Sequence, residues 1–254
     1  MSSASIAALS VICMVGGVLG GLWLQRLLPR DHLSKESQDV VKLGAGLIAT
    51  VTALVLGLLV SSAKGTFDAM NSRITQMSAK VLIVDETLAQ YGPEARPVRE
   101  QLRRSTELLL RQIWPAEQTG PARGMAVIEQ GGEIKLIRES HGALTPGDEA
   151  HRQLLVQAQQ VMGEIAQSRW MLIEEAQNTL PTALLIVLVF WLAMLFASFG
   201  LFAPRNATIV IALIVSACAM AGAIFLVLEL SQPLDGLIKV SSGPLRKVLE
   251  LMGR

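Results

Sequence analysis

Four long stretches without any ionisable side chain surround a polar middle, and this layout constrains the chain more than any motif does. A helix needs about 20 apolar residues to cross a hydrocarbon core roughly 30 Å thick. Continuous runs of this length favour helices over barrel strands, because a helix satisfies its own backbone groups in lipid. The stretches that lack Asp, Glu, Lys, Arg and His are Met1–Gln25, Leu43–Ala63, Thr179–Pro204 and Asn206–Leu228.

The order of these stretches predicts an all-α integral membrane protein with four transmembrane helices and long helices that extend into a cytoplasmic helical domain. The polar insert between the second and third stretches carries 13 Lys/Arg and 15 Asp/Glu, so it is nearly neutral and has the character of a water-soluble domain. The predicted segments are a first transmembrane helix over 1–28, a short loop over 29–42, a second transmembrane helix over 43–64, a cytoplasmic helical domain over 65–178, a third transmembrane helix over 179–204, a fourth over 206–230 and a cytoplasmic tail over 231–254.

Composition argues against several classes of function. The 254 residues carry a net charge of only +1, whereas nucleic-acid binding needs a basic face. Cys13 and Cys218 lie in apolar stretches and are interpreted as packing residues. His32, His141 and His151 lack metal-ligand spacing, so no metal or cofactor is expected. Since no nucleophile–base pair or phosphate loop is recognisable either, the sequence predicts no enzyme.

A heptad-like seam predicts that the insert begins with a helix that continues out of the second span. The seam passes Gly65 and stops at Tyr91-Gly92-Pro93, a typical helix end. Such a seam is buried either inside one chain or between subunits, and both interpretations stay open at this point. Its apolar members are Phe67, Met70, Ile74, Met77, Val81, Val84 and Leu88.

The rest of the insert is expected to contain two more helices. One starts near Glu94 and ends by Pro115, and another opens at Pro146 and runs toward the third span. Glycine and proline predict a loop over Ala116–Thr145, with a short element around Ile134–Ile137. The tail is expected to end in a short amphipathic helix, Leu245–Met252.

The second span carries a stripe of small and weakly polar residues on one helical face. Such a stripe favours close helix packing in lipid, or it lines a water-filled path in an oligomer. Both interpretations stay open. The candidate pore-lining residues are Gly46, Thr50, Ala53, Gly57, Ser61 and Lys64, and the candidate hydrophobic constriction beside them consists of Val51, Leu54 and Leu58.

The first span contains two overlapping G-x-x-x-G patterns, which indicate helix packing in a membrane. They are formed by Gly16, Gly17, Gly20 and Gly21. In the insert, Asp85 is predicted to pair with Arg96 or Arg99 across the turn at Tyr91-Gly92-Pro93. A salt bridge in a helical hairpin explains this carboxylate better than catalysis does.

Lys and Arg near the span ends count about seven on the side of the insert against five on the other. The positive-inside rule therefore places the insert and both termini in the cytoplasm. The absence of a basic residue before the first span favours the opposite orientation.

Several blocks of sequence resemble the bestrophin-like family of bacterial integral membrane proteins. The blocks are His32-Leu33-Ser34, Asp39-Val40-Val41-Lys42-Leu43-Gly44, Gly46-Leu47-Ile48-Ala49-Thr50, Ala53-Leu54-Val55-Leu56-Gly57-Leu58-Leu59, Ser62-Ala63-Lys64, Asp85, Leu88-Ala89, Tyr91-Gly92-Pro93-Glu94 and Pro233-Leu234-Asp235-Gly236-Leu237-Ile238. The resemblance covers nearly the whole chain. It implies a homopentamer in the bacterial inner membrane, with a central pore lined by the second span, chloride-type anion permeation and a cytoplasmic helical domain.

Three functions therefore compete. The first is an oligomeric ion channel, with inorganic anions as the permeant species. The second is a stator-like energising complex that transmits force to a partner, since flagellar-stator proteins share the order of two spans, a large insert and two spans. The third is a non-conducting scaffold whose insert binds other proteins.

Overall fold

The structure is a computed structural model that describes residues 2–29, 34–114, 144, 146–177, 182–204, 206–234 and 236–252. All regular structure in this part of the chain is helical, which confirms the all-α fold class. The helices are α1 (Ser3–Leu27), α2 (Lys35–Tyr91), α3 (Arg96–Ile113), α4 (Glu149–Gln177), α5 (Thr182–Phe202), α6 (Ala207–Leu230) and α7 (Gly243–Leu251), with a 3₁₀ turn at Pro93–Ala95 before α3.

Helices α1, α2, α5 and α6 are each long and apolar enough to cross a membrane. At 1.5 Å per residue, the 57 residues of α2 extend about 85 Å, nearly three times the thickness of the hydrocarbon core. Helix α2 must therefore reach well beyond the bilayer. Gly65, the one glycine in its seam, does not interrupt it.

Side-chain hydrogen bonds fix the starts of three helices. The Oγ of Ser2 accepts from the backbone N–H of Ser5, and Asn206 Oδ1 accepts from Thr208 N–H, which caps α1 and α6. At the start of α4, the Asp148 carboxylate accepts from the backbone N–H of His151, and this bond lowers the pKa of Asp148 below its ordinary value.

Helix α2 ends where the sequence predicts, at Tyr91. Gly92 has a φ of 119°, a conformation that side chains with a Cβ rarely adopt, and Pro93 follows it. The chain therefore turns sharply here and enters the 3₁₀ turn and α3.

The chain divides into two compact units. The membrane unit comprises Met1–Gly65 and Leu180–Ser231, and the polar unit comprises Thr66–Thr179 and Gln232–Arg254. In the membrane unit, α1 packs on α5 and α6. Its core includes Met14 and Val18 of α1 and Leu59 of α2, with buried side chains from α5 and α6.

In the polar unit, the predicted seam of α2 is buried from Met70 to Leu88. It packs in one core with α3, with Met162 and Leu172 of α4, and with the tail. Of the two interpretations of the heptads, packing within one chain is the one found. The tail helix α7 joins this core through Leu245 and Val248, and the Nε1–H of Trp114 donates to the Val240 carbonyl at 2.7 Å.

Two predictions fall outside the described residues. The loop over Ala116–Thr145, apart from Leu144, is one of them, together with its short element around Ile134–Ile137. The other is the continuation of α4 into the third span, because residues 178–181 are not described.

Candidate permeation face on the second helix

The membrane half of α2 has one packed side and one open side. Thr52, Leu59 and Ala63 are buried, and they mark the side that contacts the rest of the membrane unit. At about 100° per residue, the remaining positions divide into rows around the helix. Both rows of candidate residues lie away from the packed side.

The stripe of small residues is exposed along its whole length in the single chain. It occupies an arc of about 80°. Around Gly46 and Gly57 the space is open, since a Cβ added at either position meets no heavy atom within 4 Å. The Oγ1 of Thr50 donates to the Gly46 carbonyl at 2.9 Å, so this hydroxyl is satisfied inside the helix. The six residues of the stripe are Gly46, Thr50, Ala53, Gly57, Ser61 and Lys64.

The candidate constriction is the second open row. Val51, Leu54 and Leu58 are exposed by 46%, 65% and 63%. They lie about 100° around the helix from the stripe, and both rows are about 130° from the packed side. Packing within one chain therefore leaves both rows exposed, and this exposure does not decide whether other subunits, water or lipid cover them.

The four glycines of α1 fall into two pairs with different surroundings. A Cβ at Gly17 would lie 2.5 Å from the Ala193 carbonyl oxygen of α5, and one at Gly21 would overlap the Ala197 carbonyl oxygen. Gly16 and Gly20 face open space. A Cβ at Gly200 of α5 would likewise overlap the backbone of Val18 in α1. Helices α1 and α5 therefore approach each other backbone to backbone.

The carboxylate of Asp85 pairs with Arg99, one of its two predicted partners. Arg99 Nε and Nη2 each donate a hydrogen bond of 2.8 Å to one oxygen of Asp85, whose side chain is only 6% exposed. This bidentate bond raises the pKa of Arg99 above its ordinary value. The pair joins α2 to α3 across the turn at Gly92, which is a structural role.

Sequence reasoning missed one acidic side chain inside a candidate span. Glu229 lies in the last turn of α6 and is 5% exposed. It follows the fourth charge-free stretch directly, and this adjacency was the signal available in the sequence. Among the residues that the structure describes, no group of three or more His, Cys, Asp or Glu side chains is arranged to hold a metal ion.

Four long apolar helices, one of them far longer than a bilayer is thick, define a multi-pass helical membrane protein. The Bestrophin-like domain family matches residues 12–245 of this chain. The chain belongs to the bestrophin-like family, which confirms the resemblance found in its sequence.

The fold is also found in a solved structure. A crystal structure of a bacterial bestrophin homologue from Klebsiella pneumoniae, determined with a mutation, matches with a TM-score of 0.59. The match covers 99% of each chain at 16% sequence identity, so it establishes a shared fold. No curated protein is significantly similar to the chain.

Proposed function

We propose that this protein is an oligomeric ion channel that conducts anions of the chloride type through a central pore lined by α2. The observation that carries the proposal is the open stripe from Gly46 to Lys64, which the chain's own packing leaves uncovered. Membership of the bestrophin-like family supports the same function, because the resemblance implies anion permeation through a pentamer lined by this span.

The chemistry of the stripe suits a path for water and ions. The lipid-facing side of a transmembrane helix usually carries large apolar side chains, and the stripe lacks them. Around a central axis, five copies of Thr50, Ala53, Gly57 and Ser61 would form successive rings of small side chains. Small rings leave room for hydrated ions, and the helix carbonyls and hydroxyls offer them weak polar contacts.

Charge and apolar side chains would add selectivity and a barrier. Five copies of Lys64 would form a positive ring, which raises the local concentration of anions and repels cations. Val51, Leu54 and Leu58 would narrow the path beside the stripe as a hydrophobic constriction, a layer that gates by expelling water.

A reconstituted-protein flux assay is the decisive experiment. Full-length protein in liposomes is expected to conduct anions by itself. A stator-like complex would conduct only with a partner that it drives, and a scaffold would not conduct at all. Absence of current from the reconstituted oligomer at every tested voltage, pH and calcium concentration would reject the channel.

Cysteine scanning would then identify the row that faces the pore. Single cysteines at Thr50, Ala53 and Gly57 are compared with cysteines at Leu54 and Leu58, in a background that lacks Cys13 and Cys218. We expect charged thiol reagents to change the current at the first three positions more than at the other two. The reverse order would assign the pore to the apolar row.

We also propose a bacterial inner-membrane location with the N-terminus, the insert and the C-terminus in the cytoplasm. The Lys/Arg excess on the side of the insert supports this orientation. Single cysteines at Ser2 and Ala116 in intact cells are expected to react with an impermeant reagent only after lysis. Labelling of both before lysis would reverse the orientation.

A further inference from the structure

A groove between α1 and α6 combines an apolar floor with a polar mouth. Leu19 and Leu22 of α1 and Val210 of α6 form the floor. Trp23, Arg26 and Asn206 stand at the end where α1 finishes and α6 begins. The groove encloses about 400 Å³. Both helices are candidate membrane spans, so the polar end of the groove lies where a span meets the interface.

Arg26 gives this mouth a positive charge. It lies in the last turn of α1, and among the residues that the structure describes it has no hydrogen-bond or ion-pair partner. A guanidinium binds phosphate through parallel hydrogen bonds, and it does so best where lipid lowers the local dielectric constant. The Asn206 side chain caps α6 beside it, where the helix also favours a negative group.

The floor distinguishes a lipid from a free anion. Leu19 is 57% exposed and Trp23 is 60% exposed, so the groove opens onto an uncovered apolar surface of α1. A free phosphate would gain nothing from this apolar surface, whereas an acyl chain would. Tryptophan near the end of a span prefers the depth of the lipid head groups.

We propose that this groove is a binding site for an anionic phospholipid, with the head-group phosphate on Arg26 and an acyl chain along Leu19, Leu22 and Val210. The site is separate from the permeation face on α2. It does not depend on whether the protein conducts.

Lys42 supplies a matched control. It lines a different groove, between α2, α5 and α6, whose lining is also mostly apolar. Its ammonium lies 3.7 Å from the Asp39 carboxylate, so its charge is already balanced in part. Removal of this charge should weaken the binding of anionic lipid much less than removal of the charge of Arg26 does.

Native mass spectrometry of the full-length protein tests the proposal. The probes are phosphatidylglycerol and phosphatidylethanolamine with identical acyl chains. We expect the wild type to retain phosphatidylglycerol preferentially. Arg26→Gln should reduce that preference about five-fold, the size expected for one basic residue near an anionic membrane surface. Arg26→Lys should keep most of it, and Lys42→Gln should leave it nearly unchanged.

Two further measurements, in which Arg26 is kept, complete the test. Phosphatidylglycerol with brominated acyl chains should quench the tryptophan fluorescence of the wild type by a larger fraction than that of Trp23→Phe. The reason is that the bromines of a bound lipid would lie beside Trp23. Millimolar inorganic phosphate should not displace the lipid. Equal retention of both lipids by the wild type, an unchanged preference in Arg26→Gln, or displacement by phosphate would overturn the proposal.

Discussion

Arg99 donates two parallel hydrogen bonds of 2.8 Å to the two carboxylate oxygens of Asp85, and this pair fastens α3 to α2 across the turn at Gly92. The Asp85 side chain is 6% exposed and that of Arg99 is 29% exposed. The carboxylate therefore depends on this single guanidinium for much of the solvation that it lost on folding.

Arg99→Leu should destabilise the polar unit by about 3 kcal/mol, because it leaves a buried carboxylate without its partner. Arg104→Leu on the same helix is the control. Arg104 pairs with Glu100, and both side chains are mostly exposed, so its loss should cost under about 1 kcal/mol. Chemical denaturation followed by circular dichroism measures both. Equal midpoints for the two variants would contradict the role assigned to Asp85 and Arg99.

Gly21→Ala should destabilise the packing of α1 on α5 by about 1–3 kcal/mol, because a methyl group there overlaps the backbone of α5 at Ala197. Gly20→Ala is the matched control, since a Cβ at Gly20 meets no heavy atom within 4 Å. The two variants are compared by the midpoint of thermal unfolding of the detergent-solubilised protein. If Gly20→Ala lowers the midpoint as much as Gly21→Ala does, close packing against α5 is not the reason.

Lys64→Glu should shift the permeability ratio several-fold from anions toward cations, because it reverses the charge of the proposed ring. Lys64→Arg keeps the charge and should keep the selectivity. Reversal potentials in asymmetric salt measure the ratio in planar bilayers. A conducting Lys64→Glu protein with the reversal potential of the wild type would remove Lys64 from the pore while leaving the channel itself intact.

Gly57→Leu should reduce the conductance at least ten-fold if the stripe lines the pore, because it adds one branched side chain per subunit to a single ring. Gly20→Leu introduces the same change at an open position on α1 and should conduct normally. Single-channel recording measures the conductance, and sizing in detergent checks the oligomer. A Gly57→Leu oligomer that falls apart would indicate that the stripe packs helices together instead.

The all-helical class could be predicted from the sequence because lipid restricts the possible structures so strongly, and the family could be predicted because several blocks of sequence resemble its members. A charge-free run longer than 20 residues has few alternatives to a spanning helix. The end of α2 was predictable for a local reason, since Gly92 and Pro93 together exclude a further helical turn. Within the polar unit, the spacing of Met70, Ile74 and Met77 identified a buried face.

The same periodicity does not identify the neighbour against which a face packs. Gly16, Gly17, Gly20 and Gly21 satisfy the same packing pattern, yet only Gly17 and Gly21 contact α5. Asp85 could reach Arg96 or Arg99 by spacing alone, and the geometry of the turn selected Arg99.

The sequence by itself predicted four long apolar helices and the helix end at Tyr91, because these depend on local chain chemistry and on the thickness of the bilayer. It also predicted the family, through blocks of sequence that resemble its members. The tertiary structure alone decided that Thr52, Leu59 and Ala63 form the packed side of α2 and that the stripe from Gly46 to Lys64 stays open. The physical reason is that a small-residue stripe and an apolar row are equally able to pack. Only the packing of the core of the membrane unit determines which side of α2 is covered.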